Sequence, residues 1–227
     1  MKVGLLLIAT NKYRIFLQPL ITTADTFFLK NHDVEYFIFT SDLPDINTQR
    51  KIHHLPTYHK PWPYMTLERY KLFNNASNFL SQMDFIFYCD VDMKFVDYVS
   101  DEILHSIVAT IHPGFVGQRG TPETNPNSLA YVAPTEKMQY FAGGFNGGSA
   151  EEFLKMSHVL SNNIASDLQK SIIALWHDES HLNRYMIDNP PTKILDPSYC
   201  CPEQWLDCPY GRKLLALQKN HAEFREI

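Results

Sequence analysis

The stretch "DFIFYCDVDMKF" (84–95) decides how the rest of the chain is read. Its first half is short, apolar and rich in aromatic and β-branched residues, which marks a buried strand. The run ends by placing Asp90 and Asp92 two residues apart. In an extended chain, side chains two apart leave on the same face. Two carboxylates there repel each other unless a cation or a cluster of donors lies between them. Such a strand end suits a metal; the plainer alternative is a polar turn that faces water. Hard oxygen ligands favour Mg²⁺ or Mn²⁺, which keep positions open for phosphate oxygens.

Working outward, "VGLLLIA" (3–9) and "VEYFIFT" (34–40) read as two more buried strands. Between them "FLQPLITTADTFFLK" has apolar residues at helical spacing, and "TLERYKLFNNASNFLSQ" repeats the pattern ahead of the third strand. Strand alternating with helix predicts a parallel α/β sheet. Ligands of such sheets gather beyond the carboxyl ends of the strands. Asp90 and Asp92 lie at one such end, and Ala9 to Tyr13 at another.

Past residue 100 the pattern loosens. "SIVATI" (106–111) runs into "HPGF", and "GTPETNPNS" (120–128) predicts a polar, mobile stretch. "YFAGGFNGGS" (140–149) holds four of the nine glycines. It does not fit GxGxxG and lies far from the first strand, so tight turns or a substrate floor are the two readings. A helix is expected over about 150–168. Another spans "WHDESHLNRYMIDN", stopping before Pro190-Pro191. The tail "QKNHAEFREI" is foldable and carries two cations. No repeat or linker divides the chain.

The 227 residues, 44% hydrophobic, are enough for one substantial core. A net charge of −5 argues against a general nucleic-acid binder, while leaving room for a local basic pocket. Cys89, Cys200, Cys201 and Cys208 form no CxxC pair, which points to a reducing compartment. The first apolar stretch is too short for a signal peptide or for the roughly 20 residues of a membrane span. A cytoplasmic protein with no membrane span is the expectation.

"WHDESH" packs Trp176, His177, Asp178, Glu179 and His181 into one turn and a half. The two histidines have HExxH spacing, but the glutamate is displaced and no third ligand is evident, which weighs against a zinc peptidase. A polar first helical turn is the plain reading, since carboxylates complement the dipole there. An aromatic followed by several hydrogen-bonding groups also suits a sugar site. His112 in "HPGF" could equally be a structural histidine beside a turn.

In this order, "YCDVDMKF", "HPGF", "YFAGGFNGGS", "WHDESHLNRY" and "KNHAEFR" resemble glycosyltransferase family six. That is the family of the blood-group A and B transferases and the α-1,3-galactosyltransferase. "VGLLLIATNKY" and "VEYFIFT" look like its first two strands, so the resemblance covers about residues 2–225. It implies an α/β chain of the GT-A glycosyltransferase fold, with a Rossmann-like mixed sheet and flanking helices. It further implies one catalytic domain over 1–227, with a nucleotide-binding half to about 95 and an acceptor-binding half with the C-terminal tail beyond it.

Carried over residue by residue, the resemblance puts Ile8, Ala9, Thr10 and Tyr13 at the uridine, with Thr10 where the animal enzymes tend to be apolar. Arg69 would lie near the diphosphate and donor sugar. Asp90, Val91 and Asp92 would meet the diphosphate, the aspartates holding Mn²⁺, with Mg²⁺ the alternative. Ala142, Gly143 and Gly144 would line the donor sugar. Trp62, His112, Thr121, Trp176 and His177 match acceptor-side positions, and Asp178 stands close to the donor sugar. Glu179 matches the glutamate assigned as nucleophile or stabiliser at the reacting centre. Lys219 and Arg225 match the cations that close over the diphosphate.

The implied activity is a retaining, Mn²⁺-dependent α-1,3 transfer. It would move N-acetylgalactosamine from UDP-GalNAc to the 3-hydroxyl of a β-galactoside glycan, with UDP-galactose as the alternative donor. A non-catalytic sugar-binding module and a metal-dependent phosphohydrolase are the rivals from other classes. The sequence departs from the animal pattern in three ways. It begins at the catalytic strand with no anchor or stem, which predicts a bacterial or phage protein. The loop after "HPGF" is short, which bears on Thr121. The usual acceptor carboxylate is missing from its place, with Glu203 the candidate substitute.

Overall fold

In the computed structural model, which describes residues 1–225 apart from the side chains of His221 and Arg225, the organising strand is β1 (Lys2–Ile8). Its interior is fully buried because both faces of the sheet are covered, the situation in which a strand reads as a continuous apolar run. Leu5 and Leu7 enter the core on one side, and Leu6 enters the core on the other, following the two-residue strand period. Helix α1 (Leu17–Phe27) covers the first face. It leads to β2 (Asp33–Thr40), parallel to β1, and then to β3 (Ile52–Pro56), parallel to β2.

The long helix expected before the third strand is broken into α2 (Tyr64–Leu67), α3 (Arg69–Asn75) and α4 (Ser77–Leu80). Glu68 and Ala76 are the joints, and neither has a side-chain cap. The third strand, β4 (Phe85–Cys89), pairs parallel to β1. Two short strands follow, β5 (Met93–Phe95) and β6 (Ile107–Ile111).

The glycine-rich segment is neither turn nor loop. It is β7 (Phe141–Ser149), the longest strand, antiparallel to both β4 and β6. The parallel pattern read from strand and helix alternation is therefore corrected to a mixed sheet of seven strands, as the family resemblance implied. Glycine is depleted in strands because it adds no packing. Here it permits close approach: a Cβ on Gly147 would lie 2.3 Å from the Phe87 ring and 2.4 Å from the Ile86 carbonyl. Gly147→Ala is expected to lower unfolding free energy by about 3 kcal/mol. Urea denaturation measures it, and an alanine variant as stable as the parent would contradict this account of β7.

After β7 the chain forms α5 (Ala150–Gln169), capped by Ser149 and carrying Glu151 and Glu152 in its first turn. Helix α6 (His177–Asp188) packs with it on the second face of the sheet and ends before the two prolines, as expected. Strand β8 (Lys193–Leu195) completes the sheet in the order β3-β2-β1-β4-β7-β6-β8. The segment expected to be mobile is pinned instead. Ser128 Oγ donates to Asp167 Oδ2 at 2.6 Å, and Glu123 accepts from Leu175 N at 2.6 Å.

A small second sheet brings the C-terminus back to the Asp-Val-Asp stretch. Strands β9 (Cys201–Pro202) and β10 (Leu214–Ala216) pair with each other, and β10 pairs antiparallel to β5. Leu217 N then donates to Asp92 O at 3.0 Å, and α7 (His221–Arg225) follows. Among the described residues no helix is long and apolar enough to cross a membrane.

Candidate active site

The carboxyl ends of β1 and β4 open onto a cleft of about 270 Å³. Ile8 ends β1 and lines it with Thr10 and Tyr13 just beyond, Trp62 lines it ahead of the broken helix and Arg69 from within it, Asp90, Val91 and Asp92 follow β4, and Lys219 comes from the tail. Ala9 is completely buried, its N–H bonded to Phe39 O at 2.9 Å, so it supports this wall without lining it. Thr10 Oγ1 is 2.9 Å from His59 Nδ1.

The two aspartates share the cleft by a route other than strand alternation. Asp90 ends the β4 ladder, its N–H bonded to Gly144 O at 2.8 Å, and Asp92 lies within a turn closed by Met93 N to Asp90 O at 3.2 Å. Of the two readings from the sequence, the polar turn is present, and it faces the cleft.

Arg69 is the hub. Its side chain is 8% exposed, and it stacks over the Tyr88 ring at 4.1 Å. Nη2 donates to Asp90 Oδ1 at 3.1 Å, and Nη1 donates to Gly143 O at 3.0 Å and pairs with Asp178 Oδ2 at 2.9 Å. Tyr88 O–H also donates to Asp90 Oδ1. Burial favours the neutral guanidine, but the facing carboxylates outweigh it and raise the pKa further, so the charge is permanent.

Asp178 and Glu179 occupy the first turn of α6, where the helix dipole favours their ionised forms. Burial nevertheless pushes Asp178 up to about 6, against the pull of Arg69. It pushes Glu179 up to about 7, against donation from Gly143 N (2.7 Å to Oε2) and Tyr140 O–H (2.9 Å to Oε1). At the same helix end Trp176 Nε1 donates to Thr121 Oγ1 at 2.7 Å, and the Trp62 and His177 rings meet edge to face at 4.8 Å. Trp62 and Trp176 are both about half exposed. His177 has φ 53°, a left-handed conformation that costs a non-glycine residue some energy and that Asn11, Leu29 and Ser171 also adopt.

The other expected residues differ in how close they stand to the cleft. His112 Nδ1 accepts from Gly114 N at 3.1 Å, and its ring packs on Phe115 and Tyr140, the structural role anticipated as its alternative. Ala142 is buried within β7. Gly143 and Gly144 turn towards the acidic groups: an added Cβ would meet Glu179 Oε2 at 3.4 Å and Asp90 Oδ2 at 3.2 Å respectively. Glu203 Oε2 accepts from Gln218 N at 3.0 Å, so it fastens the start of the tail. Lys219 Nζ pairs with Asp92 and lies 5.1 Å from the centre of the Tyr13 ring. The side chain of Arg225 lies outside the described residues.

Sequence reasoning missed His59, Tyr88, Tyr140, Asn183 and Phe224. Tyr88 was within reach, since it is two residues before Asp90 on the same strand. Asn183 Oδ1 accepts from Phe141 N at 2.8 Å and Nδ2 donates to Phe141 O at 2.9 Å, tying α6 to β7. Nothing local in the sequence signals that pairing.

Residues 1–226 match the profile of Glycosyltransferase family 6. The chain is 36% identical to histo-blood group ABO system transferase 1 of Rattus norvegicus, across 98% of this chain and 68% of that protein. It is 32% identical to globoside alpha-1,3-N-acetylgalactosaminyltransferase 1 of Mus musculus, across 89% of this chain and 61% of that one. Identity to O-antigen biosynthesis glycosyltransferase WbnI of Escherichia coli is 26%, across 90% of both. The seven-stranded mixed sheet between helices agrees with a GT-A-like fold. With the family profile spanning nearly the whole chain and relatives above 30% identity at this coverage, the chain belongs to glycosyltransferase family 6 and is a hexosyltransferase that takes a nucleotide-sugar donor and a glycan acceptor.

Proposed function

We propose that this transferase moves N-acetylgalactosamine from UDP-GalNAc to the 3-hydroxyl of a β-galactoside, with retention at the anomeric carbon. The observation that carries the reading is Arg69, whose guanidinium joins Asp90 at the cleft to Asp178 beside Glu179. One buried cation thus links the place for a leaving diphosphate to the place for a reacting sugar. Arg69 and Lys219 offset the negative charge that grows on departing UDP. Glu179 faces the anomeric carbon as positive character develops there. Trp62, Trp176, His177 and Thr121 form a half-exposed aromatic and polar wall suited to stacking and orienting an acceptor sugar.

Among the described residues, no group of three or more histidine, cysteine or acidic side chains forms a metal cage. The donor set still suits Mg²⁺ or Mn²⁺, ions that take one or two carboxylates and complete their shell with substrate phosphates and water. Asp90 and Asp92 are the residues that would hold such an ion. Its chemistry would be to neutralise charge on the leaving diphosphate.

Likeness to the mouse globoside alpha-1,3-N-acetylgalactosaminyltransferase supports α-1,3 transfer of N-acetylgalactosamine. Gly144 supports the same donor by volume, since a 2-acetamido group is larger than a hydroxyl. One methyl too many in a packed site costs roughly 1–3 kcal/mol, about ten- to a hundredfold in rate. The wild type is therefore expected to prefer UDP-GalNAc over UDP-galactose about tenfold in kcat/KM with one β-galactoside acceptor. A tenfold preference for UDP-galactose would sink the donor assignment. Gly144→Ala is a less clean test than it looks, because its methyl would press on Asp90 Oδ2 and Met93 Sδ. It is expected to slow transfer from both donors, UDP-GalNAc more. The experiment that tests the whole reading is a matrix of donors and acceptors, with linkage and anomeric configuration of each product determined by NMR.

A further inference from the structure

Both oxygens of Glu179 are held from one short segment. Gly143 N donates to Oε2 at 2.7 Å and Tyr140 O–H donates to Oε1 at 2.9 Å. The tyrosine is itself immobilised. It is fully buried, its ring packs edge to face on His112 and Phe115, and its carbonyl accepts from His112 N at 3.0 Å. Gly120 lies so close that an added Cβ would stand 2.5 Å from the ring, at a φ of +70° that also favours glycine. Asn183 meanwhile locks Phe141 to α6 and donates to Glu179 O at 3.0 Å.

The need for such a hold lies on the other side of the carboxylate. An ideal Cβ on Gly143 would be 3.4 Å from Glu179 Oε2 and 3.5 Å from Arg69 Nη1, so carboxylate and guanidinium flank the same α-carbon. A carboxylate free to rotate would swing onto that cation and leave the reacting centre. Asp178 and Asp90 already surround the guanidinium.

We propose that Tyr140 is a positioning residue for Glu179, its buried hydroxyl holding the carboxylate off Arg69 and in line with the donor sugar. This rests on the reading of Glu179 as the group at the reacting centre. A charge-assisted hydrogen bond of this kind fixes direction as well as energy, and misplacing a reacting group by about 1 Å costs up to a hundredfold.

Tyr140→Phe keeps the ring and removes only the hydroxyl. It is expected to lower kcat about tenfold. Donor KM and UDP affinity by calorimetry should stay within about twofold, the usual error of additivity. In a Glu179→Gln background the same change should add no more than about twofold, because the group it positions is gone. Should the phenylalanine variant melt early, a ring-fluorinated tyrosine at 140 replaces it. That residue keeps the shape and makes the hydroxyl more acidic, and it should move kcat without moving Tm. Unchanged kcat in both variants, or a full tenfold loss added on top of Glu179→Gln, would overturn the assignment of Tyr140 alone. Wild-type kcat in Glu179→Gln would overturn the reading of Glu179 first, whatever Tyr140→Phe does.

Discussion

Transfer by enzyme stripped with EDTA is expected to fall to background and to return on addition of Mn²⁺, with Asp92→Asn at least about tenfold slower at saturating metal. The argument starts from charge. Asp90 and Asp92 both face the cleft, and each already has a cation: Arg69 for the first, Lys219 for the second. The two positive side chains can donate to a diphosphate, but the two carboxylates match their charge, so they do not neutralise it by themselves. A divalent ion would supply the missing charge, drawing on hard oxygen ligands and on the phosphates themselves. The opposing outcome also has a physical basis. If full activity survives metal stripping, cationic side chains, Lys219 and Arg69 among them, must neutralise the leaving group without a metal. Isothermal titration of Mn²⁺ with UDP, into the parent and Asp92→Asn, separates metal binding from turnover.

How much of this was legible beforehand differs from element to element. Strands β1, β2 and β4 could be read because burial on both faces writes itself as unbroken apolar runs. Strand β7 could not, because what fits it between β4 and β6 is the absence of side chains at Gly147 and Gly148. Close approach leaves no periodic signal. The Asp-Val-Asp pair was found for a reason that proved incomplete: its two members reach one cleft through a strand end and a turn, with the tail fastened back by β10.

The site shows the same division. Glu179 and Asp178 stand out because several hydrogen-bonding groups crowd one helix start. Arg69 as a hub does not, since its three partners come from β4, β7 and α6, far apart in sequence. Tyr140 was passed over inside a segment quoted for its glycines. Its partner lies 39 residues away, and only tertiary packing brings the two together. Residues that orient a catalytic group by long-range contact carry no local mark, however much the group depends on them.

Glu179→Gln is expected to lower kcat by about a hundredfold or more while leaving UDP affinity nearly unchanged. The substitution is close to isosteric, so an amide can keep accepting from Gly143 N through its oxygen. At the other position it presents N–H₂ where an acceptor stood, facing the Tyr140 hydroxyl. That hydroxyl can reverse and accept, so the fold has no reason to collapse. The change in charge is what matters. As the bond to UDP breaks, positive character appears at the anomeric carbon, and only an ionised carboxylate answers it by stabilising or attacking that centre. Arg69 donates to Gly143 O and pairs with Asp90 and Asp178, and none of these contacts uses the Glu179 side chain, so the variant keeps them. Loss of kcat with donor binding intact is therefore the signature of a group that acts in the transition state. Parallel loss of UDP affinity, or a Tm far below that of the parent, would make Glu179 a structural acid tying α6 to β7. The reacting centre would then have to be sought at Asp178, which stands 2.9 Å from the same guanidinium.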